Sequence, residues 1–286
     1  MTASRANLGE EATATAAVSK QGSIAGKKLR TLGRLLLAGN LRELRRAVYD
    51  NAVIFARVHL AGARRRGYVR IDGCRFSLQG IDPASSMYSV LMLGCYELPE
   101  RRAIAKYLDP AWPVIELGGC AGVVACITNR RLQQPQAHVV VEANPAMMPL
   151  LERNQKMNGC GFRVVNAAIA YDGATTTYSP SADAMSNRLN SGLAGAPAIT
   201  VPNRSLASLA AESGFNGFTL ICDIEGHEYE LLRQEPEAVA QARLLILETH
   251  ERYIGPEKHQ FVLRQLAELG FQIAEQIETV LAMVRQ

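Results

Sequence analysis

No run in this sequence approaches the roughly 18–20 consecutive apolar residues that a helix needs to cross a bilayer, so a membrane-spanning protein is excluded on pattern. Its six cysteines form no C-x-x-C pair, and no histidine stands near them at zinc-ligand spacing. They are expected to be reduced, mostly buried thiols of a cytoplasmic protein. Residues 1–25 lack an apolar core and carry Glu10 and Glu11, so they do not read as a secretory signal. Charged residues are scarce, at 20%, against 48% hydrophobic ones, which gives 286 residues enough apolar material for one large α/β domain. A strong overall positive charge is also missing. The net +4 conceals eleven basic residues against two acidic ones between Lys27 and Arg66, set on a mildly acidic remainder. A nucleic-acid partner is therefore not favoured.

Three regions follow. Residues 1–26, rich in Ala, Ser, Thr and Gly, read as a disordered tail. Residues 27–66 read as a basic helical extension whose apolar positions recur at spacings of three and four. Its Arg-rich face is the one feature suited to weak peripheral membrane contact. Residues 67–286 form the main domain. It opens with a hairpin over 68–78 turning at Asp72-Gly73. A polar loop follows, then a helix over Pro99–Leu108.

Beyond Pro113, short apolar runs alternate with helical segments. Strands are expected at Val114–Leu117, His138–Val141, Phe162–Asn166, Leu220–Ile224 and Leu244–Glu248. An antiparallel hairpin, Phe271–Ala274 and Val280–Val284, closes the chain. This alternation predicts a Rossmann-like α/β fold, a mostly parallel sheet covered by helices on both faces. Residues 171–200 read as a long loop with a short strand near Ile199–Val201, placed to shape a substrate pocket.

Ligand chemistry is expected where the first strand ends. Glu116-Leu117-Gly118-Gly119-Cys120-Ala121-Gly122 is an acidic strand end followed by a glycine bend into a helix. The glycines at 118, 119 and 122 let backbone approach a ligand closely. A dinucleotide fingerprint starting at Gly118 would need glycine at 120 and 123, where Cys120 and Val123 stand, so it fails. The pattern suits a nucleoside with a methionine tail and no pyrophosphate. The second strand ends in Glu142, whose carboxylate can accept protons from both ribose hydroxyls. The third ends Val165-Asn166-Ala167, where Asn166 and the backbone of Ala167 could read an adenine.

Five ordered blocks then carry a resemblance. They are Tyr96-Glu97-x-x-Glu100; Val114–Gly122; Val141-Glu142-Ala143-Asn144-Pro145 with Leu151-x-x-Asn154-x-x-x-Asn158; Asp223-Ile224-Glu225-Gly226-x-Glu228; and Leu247-Glu248-Thr249-His250. Over about residues 90–255 the chain resembles the FkbM family of methyltransferases. The resemblance implies a seven-stranded class I methyltransferase fold, S-adenosyl-L-methionine as donor, and O-methylation of a sugar, glycan or natural-product small molecule. It carries cofactor contacts onto Glu116, Gly118, Gly122 and Glu142. Glu116 stands where the family commonly has Asp, Gly119-Cys120 where Ala-Asn is common, and Cys222 where a Lys often precedes Asp223.

A sulfonium methyl is already activated, so the protein must orient the reactants and accept the hydroxyl proton. Asp223, His250 and Glu248 are the catalytic candidates, with Glu225 and Glu228 beside them at the same sheet edge. His250 is attractive as a base because an unperturbed imidazole titrates near neutral pH. His227 reads as a helix-surface residue. The clustered carboxylates could also hold Mg²⁺, but a side-chain base is the favoured reading. Two other readings compete: an NAD(P)-dependent oxidoreductase on the same fold, and a non-catalytic membrane- or partner-binding protein acting through residues 27–66.

Overall fold

The structure, a computed structural model, describes residues 67–83, 85–178 and 199–285, with isolated helical positions between 45 and 56. The expected tail over 1–26, most of the basic extension and the loop over 179–198 lie outside the described residues.

Two strands, β1 (Tyr68–Ile71) and β2 (Cys74–Ser77), form the expected hairpin. Its turn holds Asp72 and Gly73 at φ 46° and 81°, the positive-φ pair that such a two-residue turn demands. The expected polar loop after it is in fact broken by a helix, α1 (Ser86–Leu93), capped by the Ser85 side chain. The segment SMYSVLML carries too few polar residues to show a helical stripe, and it buries Met87, Leu91 and Met92. Next comes α2 (Leu98–Tyr107).

The main sheet is built from β3 (Val114–Leu117), β4 (His138–Glu142), β5 (Arg163–Asn166), β9 (Phe218–Cys222), β10 (Ala242–Glu248), β11 (Phe271–Ile277) and β12 (Val280–Arg285). Their order is β11-β12-β10-β9-β3-β4-β5. Within it β12 alone runs against its neighbours. Parallel strands buried on both faces need near-continuous apolar runs, which is why the sequence made them visible.

Six helices alternate with these strands: α3 (Val123–Asn129), α4 (Met148–Asn158), α5 (Leu206–Ser213), α6 (Glu228–Gln234), α7 (Pro236–Val239) and α9 (Pro256–Glu268), with the short α8 (Glu251–Ile254) before the last. On one face, Ile115, Leu117, Val141, Leu220 and Leu247 pack with Leu206 and Leu209 of α5, Leu231 of α6 and Leu266 of α9. The opposite face packs Val114, Ile221 and Ile246 against Ile104 of α2 and Val124 of α3. Outside the sheet, β6 (Ala168–Ile169), β7 (Thr175–Tyr178) and β8 (Ile199–Arg204) form a three-stranded flap in the order β6-β8-β7. The first part of the expected loop over 171–200 is thus a strand. Its Thr-rich sequence has no apolar alternation to reveal it. Among the described residues no helix is long and apolar enough to cross a membrane.

Strand order reverses beside β3: the chain proceeds to β4 and β5 on one side, then returns to β9 on the other. That switch point opens a crevice at the carboxyl ends of the strands. Register sets its walls. Leu117 pairs with both Val141 and Cys222, so Gly118, Glu142 and Asp223 leave the sheet side by side.

Candidate active site

A cavity opens in this crevice, at the edge of the sheet where doubly wound folds bind ligands. Gly118, Cys120, Glu142, Ala143, Ala167 and Ile169 line one end, and Tyr96, Glu97, Asp223, Ile224, Glu225 and His227 the other. A second, smaller cavity adjoins it, which Glu97, Gly118 and Asp223 share with Glu100, Glu116 and Gly119.

The glycine bend is dictated by crowding. Gly118 sits at φ 97°, and a Cβ there would lie 1.8 Å from the carbonyl oxygen of Asp223. No side chain is compatible with that approach. The Gly118 and Gly119 N–H groups both donate to the Val141 carbonyl at 2.9 Å, and Asp223 N–H donates to Leu117 O at 2.9 Å. Gly122 starts α3 against Leu151. Two asparagines of α4 brace the region. Asn154 Nδ2 donates to Ala121 O at 2.8 Å while its Oδ1 accepts from Ser77 N–H at 2.8 Å. Asn158 pairs with both backbone groups of Arg75 at 2.7 Å. The Asn154-x-x-x-Asn158 spacing thus ties the hairpin and the glycine bend to one helix.

Glu142 is held from both sides. Its Oε2 accepts from Cys120 N–H and its Oε1 from Asn144 N–H, each at 2.6 Å. Burial pushes its pKa up, and these two bonds pull it partly back. Of the other expected cofactor residues, Ala167 and Gly118 line the main cavity, while Glu116 and Gly119 reach the smaller one. Gly122 and Asn166 line neither. The Asn166 amide is directed instead at the carbonyls of Glu142 and Ala143, at 2.7 and 3.3 Å, and so braces the Glu142 loop. Glu116 is 1% exposed, its carboxylate 3.5 Å from His138 Nε2. Burial raises its pKa and His138 opposes the rise.

The opposite end is acidic. Asp223, His250 and Glu248, expected as the catalytic group, do come together: His250 Nε2 is 3.5 Å from Asp223 Oδ1 and 4.0 Å from Glu248 Oε2. It is also 3.7 Å from Glu225. On the other side of the ring, His250 Nδ1 is hydrogen-bonded to Glu228 Oε1 at 3.0 Å. Glu228 in turn accepts from the N–H groups of Ile224 and Gly226. The expectation of an unperturbed imidazole needs correction. Burial of His250 favours the neutral ring, but the Glu228 bond and the charges of Glu228, Glu248 and Glu225 prevail, holding its pKa above the usual value. His227 is corrected as well: it lines the cavity, and burial lowers its pKa.

Glu97 and Glu100, which the sequence placed in a motif without a role, complete the acidic wall. Burial, aided by Glu248, pushes Glu97 up to about 7; burial and Glu97 push Glu100 up to about 9. Burial and the charges of Glu97, Glu248 and Glu225 likewise raise Asp223 well above the usual carboxylate range. Burial takes Glu225 to about 7. Glu97, Cys120 and Glu225 all carry positive φ (43°, 41° and 53°), a conformation non-glycine residues rarely adopt. Such strain costs on the order of 1–3 kcal/mol per residue and gathers at functional sites.

The sequence model of the methyltransferase FkbM domain matches residues 116–273, more than half of the chain. No curated protein matches. Among solved structures, ribosomal protein L11 methylase from Lactobacillus delbrueckii subsp. bulgaricus superposes with a TM-score of 0.39 at 12% identity, covering 68% of this chain and 79% of that one. The tRNA (uracil-54, C5)-methyltransferase of Pyrococcus abyssi, in complex with S-adenosyl-L-homocysteine, gives 0.41 at 11% identity over 76% and 44% of the two chains. Aeropyrum pernix fibrillarin, with natively bound S-adenosyl-L-methionine, gives 0.37 at 11% over 66% and 73%. At such scores the strand order of the sheet, and not the superposition, carries the fold.

Proposed function

Because this chain belongs to the FkbM methyltransferase family, we propose that it transfers a methyl group from S-adenosyl-L-methionine to a hydroxyl oxygen of a sugar, glycan or natural-product small molecule. The observation that carries this reading is the polarity of the cavity. One end offers a fixed carboxylate and a small apolar floor; the other offers carboxyl groups of Glu97, Asp223 and Glu225. A ribose with a flat base fits the first, and a positively charged methionine tail fits the second. The dinucleotide alternative fits poorly, since a pyrophosphate would face that acidic wall.

The residues that line the main cavity support the donor. Each Glu142 oxygen already accepts one backbone N–H and keeps a second acceptor position for a ribose hydroxyl. Ala143, Ala167 and Ile169 leave room for a base. Bound there, the donor supplies an activated methyl on a cationic sulfur. Asp223 is proposed to take the hydroxyl proton from its ionised form, which burial and acidic neighbours make more basic but also less populated. His250, its pKa raised by the Glu228 bond, would hold Asp223 in place and, when protonated, favour the ionised carboxylate. Glu248 lies 4.0 Å from the same ring nitrogen that faces Asp223.

A labelled-methyl transfer screen against sugars, glycolipid precursors and polyketides tests the proposal. An ether product in at least one hydroxylated acceptor is expected. Label found solely on nitrogen or carbon would contradict the acceptor assignment, and binding of NAD in place of S-adenosyl-L-homocysteine would contradict the donor.

A further inference from the structure

We propose that Glu97, Glu100 and Glu248 form a binding site for a divalent cation with oxygen ligands, beside the lining that the two cavities share. One carboxylate oxygen from each lies within 4.8 Å of the others, close enough to share one ion. Glu100 is the decisive member. It is 3% exposed, lines the smaller cavity, and its Oε2 has no hydrogen-bond partner. Leaving a buried carboxylate oxygen unsatisfied is costly unless a cation or a proton reaches it.

The surroundings offer little else. Arg101, next in sequence, turns away to Asp72 at 3.1 Å and to the carbonyls of Gly94 and Tyr96. Among the described residues, the one cationic group within ion-pair distance of the three is His250, 4.0 Å from Glu248. That ring already faces Asp223, Glu225 and Glu228. Glu97 is the N-cap residue of α2 but makes no side-chain cap bond; its carboxylate faces that of Glu100 and the residue lines both cavities. Glu248 is fixed from behind by the Thr279 hydroxyl at 3.0 Å.

The donor set selects the ion. Three carboxylates without sulfur or nitrogen suit a hard cation such as Mg²⁺, Mn²⁺ or Ca²⁺. Because Glu97 also lines the main cavity, the ion's open positions would face the acceptor hydroxyl, binding and acidifying it beside Asp223. That role rests on the methyl-transfer reading; ion binding itself does not.

The test uses Mn²⁺ as probe on the full chain without donor, with free Mn²⁺ followed by electron paramagnetic resonance. About one Mn²⁺ per chain is expected, together with a rise in thermal midpoint. Glu100→Gln and Glu248→Gln should each weaken binding by more than about 10-fold, the loss that outer-shell changes alone can cause. Exposed Glu152→Gln should leave it unchanged. Absence of Mn²⁺ binding, or binding equal to wild type in both Glu100→Gln and Glu248→Gln, overturns the proposal. If one variant fails to fold, the other decides. S-adenosyl-L-homocysteine calorimetry on the same samples separates the two ideas: donor binding without Mn²⁺ removes the metal alone, and Mn²⁺ binding without the donor analogue removes the donor reading alone.

Discussion

The two ends of the cavity solve the problem of buried charge in opposite ways. At one end a single carboxylate, Glu142, receives two short backbone hydrogen bonds and stands ready in one geometry. At the other, Glu97, Asp223 and Glu225 line the cavity with Glu100, Glu228, Glu248 and His250 packed around them, and oxygens of Glu100, Asp223, Glu225 and Glu228 accept no hydrogen bond. The first end is preorganised and structurally complete. The second keeps an unresolved negative potential, which a cation or a transferred proton can relieve. A reaction that discharges a cationic donor and releases a proton needs that asymmetry.

The largest effect should come from the seam between the two ends. In Gly118→Ala the new Cβ would collide with the Asp223 carbonyl, and the chain should lose more than about 3 kcal/mol of stability, the range of severe backbone conflicts. Denaturant unfolding measures this, and a loss below 1 kcal/mol, an approximate size for ordinary substitutions, would mean the two strand ends are not so close. Next in size is Asp223→Asn. It should cut turnover by about 10²-fold with donor-analogue affinity nearly unchanged, the pattern for losing acid–base help. Equal losses of turnover and affinity would move Asp223 from the chemistry to donor binding.

The gentlest prediction concerns pH. Carboxyl groups with raised folded-state pKa bind more protons folded than unfolded, so stability falls as pH rises. Glu97 and Glu225 at about 7 and Glu100 at about 9 place that decline between their unfolded values near pH 4.5 and pH 9. His250 works in the same direction: its raised pKa adds stability that is present below the unfolded value and lost as pH climbs past the folded one. The thermal midpoint in chelator should therefore drop from pH 5 to pH 9, by roughly 2–4 °C per kcal/mol lost. Glu100→Gln should flatten the slope; a midpoint that rises over this range would show that the acidic end carries no such repulsion.

Legibility in the sequence divides along the same line. The preorganised end could be read because its parts are local: apolar strands ending in Gly118 and Glu142, each visible within ten residues. Asp223 and His250 were visible for the same reason, at the ends of β9 and β10. The acidic cluster as an electrostatic unit was not. Glu97 and Glu100 come from the start of α2, and nothing in Tyr96-Glu97-x-x-Glu100 says that it meets Glu248. The raised pKa of His250 depends on Glu228, which lies at the start of α6 after a different strand. Asn166 shows the converse error. Its place at a strand end suggested base recognition, while its amide bonds to carbonyls that no pattern could have named. Helix α1 and strand β7 were missed because neither alternates polar with apolar residues.

The account depends above all on Glu142 holding a nucleoside at the switch point. Calorimetry of S-adenosyl-L-homocysteine with the wild-type chain and with Glu142→Gln tests it most directly. One molecule bound per wild-type chain, with affinity lower by about 10-fold or more in the variant for a lost charge-assisted hydrogen bond, is the predicted result. Absence of binding to the wild type, or equal affinity for both proteins, would contradict it.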